Sequence, residues 1–219
     1  MHLFFDLDDV LFYTKRFRED LGSVFEAGGA SLELYEEGYR AAHSGQGKNG
    51  GTVYALEKHL EYVKERLPSF DTEKVRNMTL NLASDTREYV FPDVSGFLQR
   101  LQAAGHTLYV VTLGTVDFQM LKLQHSGLMP FFKEVFIVDA DKYVPIRAVT
   151  DEERGGWFFE DRADYLKNVE DRLPWIQTVQ VCRPEGRYTD DVSILADYKV
   201  TSFREMDLIE AFREILPPV

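Results

Sequence analysis

The chain has 219 residues and carries 37 acidic against 25 basic side chains, a formal net charge of −12. With 44% hydrophobic and 13% aromatic residues it can build a sizeable core, which excludes a globally disordered chain. The acidity argues against broad nucleic-acid binding, and the single cysteine, Cys182, excludes an intramolecular disulfide and a cysteine-rich zinc site. The first apolar run, Leu3-Phe4-Phe5, stops abruptly at Asp6-Leu7-Asp8-Asp9. A short run closed by polar residues reads as a buried strand that delivers carboxylates at its C-terminal end.

Residues 15–43 and 52–88 are rich in Glu, Leu, Ala, Lys and Tyr, and helical periodicity dominates, as in Tyr54, Leu56, Leu60, Val63 and Leu67. Ser44-Gly45-Gln46-Gly47-Lys48-Asn49-Gly50-Gly51 interrupts them. It lacks the Gly-Lys-Ser/Thr ending of a phosphate loop and reads as a connector, whose Lys48 is a candidate substrate contact. Beyond residue 90 the texture alternates. Helical stripes at Val94, Phe97, Leu98 and Leu101, then at Phe118, Leu121 and Leu128, separate apolar runs at 107–111, 135–138, 156–159 and 178–182. A weaker run covers 198–201, and a capping box, Ser202 with Glu205, opens a final stripe of Leu208, Ile209, Phe212 and Ile215.

The pattern predicts an α/β fold, a doubly wound parallel sheet made of residues 1–13 and 90–219, with an all-helical segment inserted at 14–89. The longest apolar runs fall far short of the ~18 residues of a membrane helix. Acid at position 6 comes too early for a signal peptide. A soluble cytoplasmic protein is expected, a monomer or homodimer without membrane or nucleic-acid partners.

The expected strand ends carry the chemistry. Asp6 and Asp8, at i and i+2 of an extended segment, project to one side, where they repel unless a cation or a proton lies between them. An oxygen-rich site at a strand end suits Mg²⁺. The second run ends in Thr112-Leu113-Gly114, a hydroxyl followed by backbone amides with room for close approach. The third is followed by Lys142, and the fourth ends in Glu160-Asp161. In open α/β sheets such ends form the ligand site.

In this order the segments resemble the motifs of the haloacid dehalogenase superfamily of phosphatases and phosphotransferases. Phe4-Phe5-Asp6-Leu7-Asp8-Asp9-Val10-Leu11 matches the first motif, Val110-Val111-Thr112 the second, Lys142 the third and Phe158-Phe159-Glu160-Asp161 the fourth. The third motif usually reads Lys-Pro, where this chain has Lys142-Tyr143-Val144-Pro145, and Lys122, Lys133 and Arg147 are the alternative cations. Asp164 is a candidate for a further aspartate of the fourth motif.

The resemblance implies a Rossmann-like core with a helical cap and a Mg²⁺-dependent phosphatase acting on a small phosphorylated substrate. Asp6 would be the nucleophile that forms an aspartyl-phosphate, and Asp8 the general acid and base. Thr112, Leu113, Gly114 and Lys142 would bind phosphate. Asp6, Asp8 through its backbone carbonyl, Glu160 and Asp161 would hold the metal. A phosphomutase or other phosphotransferase of the same fold, and a non-catalytic phosphate-binding protein, are the alternative readings. Tyr13, Arg16 and Arg18 face either the substrate or the interface with the insert. The histidines, at positions 2, 43, 59, 106 and 125, show no ligand spacing and read as surface or interface residues; Cys182 reads as core packing.

Overall fold

The computed structural model describes residues 1–43, 53–189, 193 and 195–216. Lys48 and the connector at 44–51 lie outside the described residues.

The apolar runs form the six strands β1 (His2–Phe5), β2 (Thr107–Leu113), β3 (Glu134–Val138), β4 (Gly156–Glu160), β5 (Ile176–Val181) and β6 (Tyr198–Val200). They pair in parallel in the order β3-β2-β1-β4-β5-β6. The chain therefore builds outward from β1 on one side, then returns to build from β4 on the other. That reversal leaves a crevice at the C-terminal ends of β1 and β4, where open parallel sheets bind ligands.

Both faces of the sheet are covered, which is why the strands lack clean polar alternation. Leu3 and Phe5 face the helices α5 (Val94–Ala103), α6 (Val116–Gln124) and α9 (Glu210–Arg213), joining a cluster with Phe97, Leu123 and Phe212. Phe4 and Phe158 face α7 (Tyr143–Val149) and α8 (Ala163–Glu170) through Ile146, Leu166 and Val169. Phe5 stacks on Phe159 at 4.5 Å, so aromatic packing fixes the register of β1 against β4.

The C-terminal segment departs from the expected single helix. A 3₁₀ helix, Phe203–Leu208, precedes the short α9, and Leu208 is exposed. The cause is Asp93, which accepts from the Ser202 hydroxyl and the Phe203 amide, both at 2.7 Å. Glu205 turns to Thr201 instead of closing a box with Ser202. Cys182 is only partly buried.

Between β1 and β2 lie four helices, α1 (Thr14–Ala27), α2 (Leu32–Ala42), α3 (Leu56–Arg66) and α4 (Thr72–Leu82). Ser31 caps α2 and Asp71 caps α4 through side-chain bonds to Leu34 and Lys74 amides. Their shared core is aromatic: Phe25, Tyr35, Tyr39, Tyr54 and Phe70 are buried. His59, expected at the surface or at an interface, is fully buried there. Its imidazole accounts for both ring nitrogens, with the Tyr54 hydroxyl at 2.9 Å from Nδ1 and the Tyr35 carbonyl at 2.9 Å from Nε2. Gly38 makes the packing possible, because a Cβ there would stand 2.5 Å from the His59 ring.

The insert meets the sheet domain beside the crevice. Thr115 donates to the Tyr54 carbonyl, and the Tyr54 and Phe118 rings lie 4.5 Å apart. Tyr13 stacks on Phe91, Tyr89 donates to Asp20, and Arg16 pairs with Glu88. Among the described residues no helix is long and apolar enough to cross a membrane.

Candidate active site

Strand register brings the distant acids together. Phe5 pairs with Phe159, and the Asp6 amide donates to the Phe159 carbonyl at 2.9 Å, so Asp6 and Glu160 emerge side by side. Asp6, Glu160 and Asp161 each place a carboxylate oxygen within 4.8 Å of the others, and all three residues are buried. Burial and the Glu160 carboxylate push Asp6 up to about 7, against the pull of Lys142. Burial, Glu160 and Asp6 likewise raise Asp161 well above the carboxylate range. Its Oδ2 is buried with no hydrogen-bond partner among the described residues.

An orphan carboxylate oxygen beside two further buried carboxylates fits a hard divalent cation. Asp6, Glu160 and Asp161 are the side chains that would hold Mg²⁺. The carboxylate of Asp8 stands outside this group.

Lys142 is fully enclosed and bridges the acids, with Nζ at 2.8 Å from Asp6 Oδ1 and 2.6 Å from Glu160 Oε2. Burial alone would favour its neutral form, but the two carboxylates more than reverse this and keep it charged. The irregular Lys142-Tyr143-Val144-Pro145 sequence therefore delivers its lysine to the site, at the start of α7. Asp164 does not reach it; this exposed side chain pairs with Arg162.

Asp8 faces another cation. Lys122, on α6, is buried with Nζ at 2.5 Å from Asp8 Oδ1, and the Thr14 hydroxyl donates to the same oxygen at 2.5 Å. Gln119 donates to Asp8 Oδ2 at 3.1 Å. Burial works to raise Asp8, but Lys122, Arg187 and these hydrogen bonds outweigh it and hold the carboxyl far below the usual range. Burial in turn lowers Lys122, with Asp8 opposing.

Thr112 is buried, and its hydroxyl accepts from Gln119 at 2.8 Å. Leu113 and Gly114 line the cavity that contains Asp6 and Asp8. At Gly114, φ is 154° and a Cβ would stand 2.6 Å from the Gln119 side chain, so the turn needs glycine.

The loop after Asp8 is held by the connection between β5 and β6. Asp9 is buried in a left-handed conformation, φ 57°, which a short polar side chain tolerates. Arg187 Nε donates to its Oδ2 at 2.5 Å, and Arg183 donates to the Val10 carbonyl at 3.1 Å.

The resulting cavity, about 190 Å³, is bounded by Asp6, Asp8, Asp161 and Lys142 on the sheet side. Arg18, Tyr39, His43 and Tyr54 of the insert and Arg162, Tyr165, Arg187 and Tyr188 also line it. Sequence reasoning missed Thr14, Gln119, Arg162 and Arg187, and held Lys122 only as a substitute for Lys142. Gln119 and Lys122 had a signal: two polar residues three apart beside Phe118 and Leu123 on a short helix. Arg187 had no local one.

The family model of haloacid dehalogenase-like hydrolases matches residues 1–153. No curated protein matches the chain in sequence. Among solved structures, a haloacid dehalogenase-like hydrolase from Burkholderia xenovorans superposes with a TM-score of 0.76 at 20% identity, over 99% of this chain and 98% of that one. The HAD-hydrolase YfnB from Bacillus subtilis, bound to magnesium, gives 0.63 at 18% identity, over 99% and 98%. A HAD phosphatase from Thermococcus onnurineus gives 0.59 at 18% identity, over 99% and 97%. L-2-haloacid dehalogenases share the fold as well. With the family model covering most of the chain, and the sheet order and strand-end acids in agreement, this protein belongs to the haloacid dehalogenase-like hydrolases.

Proposed function

We propose that the protein is a Mg²⁺-dependent phosphatase that releases phosphate from a small phosphorylated metabolite. The observation that carries this reading is the buried group Asp6, Glu160 and Asp161 with the unpartnered Asp161 Oδ2. Displacement of a halide by a carboxylate has no use for two additional buried acids, whereas phosphoryl transfer needs a cation between enzyme carboxylates and phosphate.

Mg²⁺ bound there would screen the carboxylate–phosphate repulsion and stabilise charge on the transferring group. Asp6 attacks phosphorus: an O–P bond forms to its carboxylate, the ester P–O bond breaks, and the electron pair leaves with the substrate oxygen. Lys142, at 2.8 Å from Asp6, fixes the attacking carboxylate and adds positive charge where phosphate oxygens arrive. The Gly114 amide, expected to bind those oxygens, instead donates to the Val138 carbonyl at 3.1 Å, so the Leu113 amide is the candidate donor.

Asp8 and Lys122 serve the leaving group as a unit. Lys122 Nζ lies 2.5 Å from the Asp8 carboxylate, which supports a reading in which the pair rather than Asp8 alone holds the proton that the leaving oxygen takes. Asp8 then accepts a proton from the water that hydrolyses the aspartyl-phosphate. The helical insert closes over the cavity as a cap and keeps bulk water away.

The test is a panel of phosphorylated metabolites assayed with Mg²⁺ and with chelator, on the native chain and on Asp6→Asn. Metal-dependent phosphate release that disappears in Asp6→Asn is expected. Isomerised sugar phosphate without net release would make the protein a mutase. Absence of any turnover by a folded chain would favour a binding role.

A further inference from the structure

The cavity has more cations than the chemistry above uses. Lys142 is committed to Asp6 and Glu160, Lys122 to Asp8, and Arg162 places Nε and Nη2 on Asp164. Two guanidiniums are left with donors to spare. Arg187 is anchored through Nε on the buried Asp9, and its two Nη groups make no hydrogen bond to any described residue. Arg18 reaches Glu36 with Nη2 alone, at 3.2 and 3.4 Å, and its buried Nε has no hydrogen-bond partner among the described residues.

These two arginines belong together. Both line the cavity that holds Asp6 and Asp8. Arg18 lies over the Tyr39 ring, 3.8 Å from its centroid. The Tyr39 hydroxyl feels the charges of Arg18, Arg187 and Asp8, and so does His43. Arg18 belongs to the insert and Arg187 to the β5–β6 connection, so both line one cavity only when the insert sits over the crevice.

A guanidinium fixed at one edge presents the rest of its fork in a set orientation, the geometry that grips a carboxylate or phosphate through two parallel bonds. We propose that the substrate's leaving group carries a second anionic group, a carboxylate or a second phosphate, received between Arg18 and Arg187. Glu36 is partly exposed, so Arg18 exchanges it for a substrate oxygen at small cost. This inference rests on the phosphatase reading.

The test compares three esters that differ only in the tail, each made with two and with three carbons. They are the n-alkyl phosphate, the ω-carboxyalkyl phosphate and the alkane-α,ω-diyl bisphosphate. Phosphate release is followed with Mg²⁺ on the full chain. An anionic tail is expected to raise kcat/KM at least about tenfold over the alkyl ester at one of the lengths, the size of one charge-assisted contact. Whichever tail gains identifies the anion as carboxylate or phosphate. That ratio should fall towards one in Arg18→Met and in Arg187→Met, with Arg187→Lys between native and Met. Because Arg187→Met leaves Asp9 unpaired, the double variant Asp9→Gly with Arg187→Met serves if the single one does not fold. Equal turnover of all three tails, or a tenfold ratio that survives both arginine changes, overturns the inference and leaves the phosphatase reading standing. No release from any ester overturns both.

Discussion

In the helical insert, the one buried histidine is neutral and fully bonded: His59 receives the Tyr54 hydroxyl, donates to the Tyr35 carbonyl and stacks on Phe25 at 4.2 Å. At the C-terminal rim of the sheet, by contrast, the buried Asp6, Glu160, Lys122 and Lys142 and the half-buried Asp8 are held in close ion pairs, and Asp161 Oδ2 has no hydrogen-bond partner among the described residues. The first arrangement is what stability alone selects. The second costs desolvation that a well-packed apolar cluster would avoid. Polar groups buried at such expense, at the switch point of a parallel sheet, are what the proposed ligand site requires.

Substitutions at the rim should separate activity from stability most sharply. Asp6→Asn keeps the shape of the side chain and removes the attacking charge, so phosphate release should fall by about 10⁴-fold or more while the circular dichroism spectrum is unchanged. Retained turnover would erase the functional difference between the two regions. Lys122→Met should lose on both counts. It leaves the half-buried Asp8 without its cation, which should cost about 2 kcal/mol in urea unfolding and about 100-fold in turnover.

The insert should answer to pH instead. Burial depresses His59 to about 3, against 6.5 for a free imidazole. A base held neutral in the folded chain loses stability once the unfolded chain binds the proton, so this contribution is complete above pH 6.5 and declines as pH falls toward 3. Between pH 7 and pH 5 the loss should be about 2 kcal/mol, read as a falling unfolding midpoint, and His59→Gln should flatten that slope. An unchanged slope in the variant would show that His59 takes no part. The smallest effect belongs to Arg16→Ala. Its bond to Glu88 joins two exposed side chains, and urea unfolding should shift by less than about 0.5 kcal/mol.

Much of the site was legible because strands announce themselves. Leu3-Phe4-Phe5 and Trp157-Phe158-Phe159 could only be buried strands, and the acids after each had to lie at one edge once the strands were parallel. Lys142 was readable despite its irregular motif, since it follows β3 on the same edge. The partners of Asp8 were less visible. Lys122 is an ordinary helix former, and only its neighbours' burial separates it from a solvated lysine. The Arg187–Asp9 contact spans nearly the whole chain, and no periodicity encodes it. Likewise the C-terminal capping box failed because Asp93, far upstream, claimed Ser202.

The claim on which the rest depends is that Asp6 meets a phosphoryl group beside a cation held by Asp161 and Glu160. A crystal structure grown with Mg²⁺ and beryllium fluoride tests it directly. The expected result is a fluoroberyllate bonded to an Asp6 carboxylate oxygen and a metal ion touching both Asp6 and Asp161. A metal bound away from these acids, or Asp6 left bare while fluoroberyllate settles elsewhere, would contradict it.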